Sequence, residues 1–78
     1  MKNEFYVEIV SDLDFEELVA DICWGENTVA TISQEEGPEN MQVEIFSPER
    51  DGDWTFPLSK FLRTLAFARQ KLNEMRRE

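Results

Sequence analysis

Three carboxylate pairs are the residues most able to do chemistry: Asp12/Asp14, Glu35/Glu36 and Asp51/Asp53. General acid/base catalysis uses two carboxylates whose surroundings push their pKa values apart. A chain with 17 Asp and Glu among 78 residues produces close pairs by chance. All three pairs sit in turn-like sequence, where Asp also serves simply as a turn former. The chain has no His, which removes Ser-His and Cys-His nucleophile pairs and every imidazole metal ligand. Ser33 and Ser59 have only carboxylates and Lys as candidate bases. The single Cys, Cys23, cannot form an internal disulfide and reads as a small buried hydrophobe. Asp51-Gly52-Asp53 offers hard oxygen ligands, but an EF-hand loop closes with Glu at position 12, and counting from Asp51 that position is Leu62. No metal site, no cofactor and no enzymatic activity are therefore expected.

Recognition is the remaining option, and the charge says of what. Residues 1–58 carry 15 acids against two bases, Lys2 and Arg50, a balance of −13. Residues 59–78 carry six bases against Glu74 and Glu78, a balance of +4, and the whole chain stands at −9. Such a surface repels phosphates, so no direct nucleic-acid ligand is expected, and a basic partner fits. No apolar run approaches the roughly 20 residues of a membrane span. The start, MKNEFYVEIV, lacks the apolar core and cleavage site of a signal peptide. With a lone Cys this points to the cytoplasm and to no membrane association.

Two Trp, six Phe and one Tyr can supply a core. Phe5–Val10 reads as a strand with Phe5, Val7 and Ile9 on one face. Residues 15–24 fit two templates. Phe15, Leu18, Val19 and Ile22 match a helix over 12–22, and Leu18, Ala20, Ile22 and Trp24 match a strand. The Gly25-Glu26-Asn27 turn and the strand-like Thr28–Ser33 favour a hairpin 17–24/28–34. That hairpin gathers Leu18, Ala20, Ile22, Trp24, Val29 and Thr31 on one face. Residues 34–40 form a loop around Gly37-Pro38, Met41–Phe46 a further strand, and 47–53 a second loop. Trp54–Phe56 is a short last strand or a packed loop. From Pro57 or Ser59 onward, Leu58, Phe61, Leu65, Ala68, Leu72 and Met75 make a helical stripe with Leu62 at its edge. The fold class is α+β: a single domain over 1–78, with a four- or five-stranded antiparallel meander (about 4–56) and one C-terminal helix (about 58–76) packed on one face.

In such a meander Asp12 and Asp14 lie at the same end as Glu35, Glu36 and Glu39, with Asp51 and Asp53 at the other. The sheet face away from the helix carries Tyr6, Glu8, Val19, Asp21 and Cys23 from the first two strands. From the next two it carries Ala30, Ile32, Gln42, Glu44 and Phe46. Aromatic groups with an acidic rim suit protein binding. Phe67 falls off the helix stripe by roughly 120° and is a candidate contact on the helix side. The candidate partner-binding residues are Asp12, Asp14, Asp21, Glu35, Glu36, Glu39, Glu44 and Phe67.

The runs Leu18-Val19-Ala20-Asp21-Ile22, Val29–Glu35 and Gly37-Pro38-Glu39-Asn40 resemble small acidic bacterial proteins, among them the immunity proteins of contact-dependent growth inhibition and related polymorphic toxin systems. The likeness covers about residues 5–46 and, more loosely, the helix. It implies tight binding to a cognate toxin, often a basic nuclease, and it carries over no individual residue roles. The expected function is thus an acidic inhibitor of a basic protein, acting as a monomer or weak dimer. Two alternatives are a phage-type inhibitor or DNA mimic of a nucleic-acid-binding complex, and a small oligomerisation domain using the 58–75 stripe as a seam.

Overall fold

The computed structural model describes residues 4–48 and 52–75. Asp51, proposed above as a loop acid, lies outside them. Four strands form one antiparallel meander in the order β1-β2-β3-β4: β1 Phe5–Val10, β2 Val19–Trp24, β3 Asn27–Ser33 and β4 Gln42–Ile45. A 3₁₀ turn, Pro38–Asn40, precedes β4, and one helix, α1 (Leu58–Glu74), follows it. Residues 19–24 thus take the hairpin option, not the helical one. Trp54–Phe56 is a packed loop, which leaves four strands among the described residues.

The hairpin explains most of the core. Gly25 has φ +63°, and no non-glycine residue among the described ones has positive φ, so Gly25-Glu26 follows the pattern of a type II′ turn. Trp24 then pairs with Asn27 and Cys23 with Thr28, but Ile22 pairs with Ala30 and Ala20 with Ile32. A β-bulge takes up Val29 between these pairs. One inserted residue exchanges the faces of everything beyond it. This corrects the sequence-based faces: Ala30 and Ile32 join Ala20 and Ile22 in the core, while Thr31 turns away to face Asp21. Gly25→Ala places a Cβ in the left-handed region and is expected to cost about 1–2 kcal/mol, read as a lower urea midpoint at unchanged m-value.

The helix lies over β1 and β2. Of its apolar stripe, Ala68 and Leu72 are completely buried, Phe61 and Leu65 are half-buried, and the end residues Leu58 and Met75 are exposed. The centre of the stripe is therefore occupied by the sheet, which leaves no continuous seam for a second helix. An aromatic cluster pins the start of α1 to the turn end of the sheet. Phe5 lies 4.5 Å from Trp24, 4.9 Å from Phe56 and 5.6 Å from Phe61, measured between ring centroids. The Trp54 indole stacks on Phe56 at 5.4 Å and donates to the Phe46 carbonyl at 2.8 Å, tying Trp54 to the end of β4. Offset and tilted pairs of this kind contribute about 0.5–1.5 kcal/mol each beyond simple burial.

Candidate functional site

The strand order brings the β1–β2 and β3–β4 connections to one end of the sheet, opposite the aromatic cluster. Glu35 joins the two connections: its carboxylate accepts the backbone N–H of Glu16 at 3.1 Å and of Glu17 at 2.9 Å. Asp12 shapes its own turn, accepting the Asp14 N–H at its Oδ1 at 2.8 Å, and its carbonyl accepts the Phe15 N–H. These two candidates are therefore occupied in building the loops. Asp14, Glu36 and Glu39 are exposed and bond through their carboxylates to no other described residue. Glu16 and Glu17, absent from the sequence-based candidates, stand at the same end. The assembled end holds seven acids: Asp12, Asp14, Glu16, Glu17, Glu35, Glu36 and Glu39. Among the described residues no Lys or Arg ion-pairs with any of them.

Leu13 stands at the tip of this end, fully solvent-exposed at 105%. An isolated exposed Leu is ordinary. Here it is flanked by Asp12 and Asp14 on a turn fixed by hydrogen bonds, so it combines an apolar anchor with an acidic rim. Leu13 is not among the sequence-based candidates. Its position between two turn-forming Asp was the signal that could have found it.

The helix-free face continues the acidic character. Register aligns Glu8, Asp21, Thr31 and Glu44 as one row across all four strands. Glu8 and Asp21 are directly opposed like charges, which disfavours the pairing. Thr31 Oγ1 donates to Asp21 Oδ1 at 2.7 Å and offsets part of that cost, so Asp21 too has an internal partner. Glu44 is exposed and has none among the described residues. Half-buried Phe15 folds back from the first loop and lines a shallow hollow with Thr31, Ser33, Gln42 and Glu44, linking this row to the acidic end.

In the neighbouring row Tyr6 is opposed to Cys23. The Tyr6 phenol is held above its ordinary pKa of 10.0, first by the neighbouring Cys23 side chain, with burial, Glu8 and Glu26 adding. The folded chain thus keeps this proton to higher pH than the unfolded chain does. Stability is fully present below pH 10 and declines as pH rises through and beyond it. Phenolate absorbance is expected to titrate with a midpoint above 10.0, and Cys23→Ala to bring the midpoint back towards that value. A midpoint insensitive to Cys23→Ala would assign the shift to another cause.

Phe67 lies elsewhere, 49% exposed on the helix beside β1, with the Lys71 ammonium 5.6 Å from its ring centroid. Lys71 also pairs with Glu74 at 3.7 Å. That is the only ion pair among the described residues, so none of the described helix bases neutralises an acid of the sheet.

No group of three or more Cys, Asp or Glu among the described residues is arranged to hold a metal ion. No helix there is long and apolar enough to cross a membrane. No family model matches the chain, and neither a curated protein nor a solved structure does.

Proposed function

We propose that this protein is a binding module that inhibits a basic protein, best described as an immunity-type inhibitor of a nuclease toxin. The observation that supports this most is the acidic end. Two loops, clamped together by Glu35, display Leu13 and Asp14 on one and Glu36 and Glu39 on the other, three carboxylates that bond to no other described residue. A small domain tolerates concentrated like charge at a cost to its own stability, and a basic partner relieves that cost on binding. The carboxylates would take the places of nucleic-acid phosphates on the partner, and Leu13 would anchor the centre of the contact. Asp12 and Glu35 act in this reading as positioning residues, while Asp21 and Glu44 extend the charge along the helix-free face. The reading is of a cytoplasmic protein that acts by recognition, without catalysis.

The test is capture from the native cytoplasm with the intact chain and, in parallel, with Leu13→Asp. The intact chain recovers a basic protein whose nuclease activity it suppresses, with an association rate that falls as salt is raised to 0.5 M. Leu13→Asp recovers much less of it. An association rate indifferent to salt would exclude electrostatic steering.

A further inference from the structure

A sheet edge bordered by two bases lies on the side of the molecule away from the acidic end. The sheet ends at β1, whose outer edge pairs with no strand among the described residues. The Gly25 N–H donates to the Glu4 carbonyl, so Glu4/Gly25 is a hydrogen-bonded pair of the β1–β2 ladder. Alternation along an antiparallel pair then makes Tyr6, Glu8 and Val10 the residues bonded to β2. Phe5, Val7 and Ile9 direct their N–H and C=O groups outward. Their side chains turn towards the helix.

Between this edge and α1 runs a groove of about 330 Å³. Phe5, Val7 and Phe67 supply its apolar surface, and Lys60 and Arg63 stand on its helical wall. Neither base ion-pairs with a described carboxylate, although Glu4 borders the same groove and the chain holds 17 acids. At physiological ionic strength screening acts over about 8 Å, so an incoming segment is governed by the bases at the wall rather than by the distant net charge of −9.

We propose that the β1 edge binds an extended acidic segment of a partner protein by strand addition. The segment pairs its backbone with Phe5, Val7 and Ile9. It places carboxylates at alternate positions against Lys60 and Arg63, and an apolar side chain on Phe67. The spacing fits. Lys60 to Phe67 rises about 10.5 Å along the helix, and five extended residues reach about 13 Å. Only every second side chain of an added strand faces the groove, so the motif is acidic-x-acidic-x-apolar, read from Lys60 towards Phe67. A second copy of β1 does not meet this requirement: it offers Phe5, Val7 and Ile9 on that face, with no carboxylate for the bases.

The experiment uses the intact chain and a fluorescent synthetic peptide of about ten residues built on this motif. Two control peptides accompany it: one with Lys in place of each acid, and one N-methylated at the residues that pair with β1. The acidic peptide is expected to bind and to slow amide exchange at Phe5, Val7 and Ile9. The double variant Lys60→Glu/Arg63→Glu, both exposed positions, is expected to weaken binding at least tenfold. The Lys and N-methylated peptides are expected to lose binding. Equal binding of the Lys peptide would overturn the charge assignment, and equal binding of the N-methylated peptide would overturn strand addition. A mass that rises with protein concentration, with the same three amides protected and no peptide present, would instead assign the edge to self-association. This site does not depend on the acidic end, so neutralising Asp14, Glu36 and Glu39 should leave peptide binding intact.

Discussion

Ile22→Ala is expected to lower the free energy of unfolding by about 2–5 kcal/mol, the range for truncating a large aliphatic side chain in a packed core. Ile22 is completely buried at the centre of the sheet, paired with Val7 on one side and Ala30 on the other, under the helix residues Ala68 and Leu72. Three of its neighbours are already small or β-branched, so collapse into the space is restricted and the cavity term adds to the lost transfer energy. The effect is large relative to the whole. A domain of 78 residues holds roughly 4–12 kcal/mol in total. Urea denaturation of Ile22→Ala should therefore show either a much lower midpoint or a largely unfolded baseline. A loss below about 1 kcal/mol would mean that the core does not centre on β2.

Neutralising Asp14→Asn, Glu36→Gln and Glu39→Gln together is expected to act in the opposite sense on stability and strongly on binding. These three side chains hold no internal partner among the described residues, so removing their charge relieves repulsion and unfastens nothing. The urea midpoint should stay level or rise. Association with a basic partner should slow by about tenfold or more at low salt, because steering by complementary charge acts mainly on the on-rate. The Glu35→Ala variant separates the two kinds of acid. It removes the clamp on Glu16 and Glu17, and its signature is faster amide exchange at those two residues. Had all the acids served the fold alike, neutralising the three would destabilise it as the loss of the clamp does.

The parts of this molecule that depend on local pattern were legible in the sequence. The helix followed from its stripe, and the tie over residues 15–24 was broken by the Gly25-Glu26 turn next to a β-branched run. The co-location of the two acidic loops followed from counting strands between them. The bulge at Val29 was not legible, because a single inserted residue leaves the apolar pattern of β3 unchanged while reversing its faces. That hid the burial of Ala30 and Ile32. The roles of the acids were also hidden: Glu35 as clamp, Asp12 as turn former and Asp21 as acceptor for Thr31 depend on neighbours 2 to 19 residues away in the chain. Phe67 falls off the stripe in the sequence, and the structure leaves it half exposed. The groove it borders exists only once the helix is laid along β1.

The proposed inhibition requires that the acidic end of this chain occupy a basic nuclease directly. The measurement that tests it most directly is titration of the recovered nuclease with the intact chain, following nucleic-acid cleavage, beside the same titration with the Asp14/Glu36/Glu39 neutralised variant. The intact chain is expected to abolish cleavage at one equivalent, and the variant to need at least a tenfold excess. Cleavage that persists at excess intact chain, or that is suppressed equally by the variant, would contradict it.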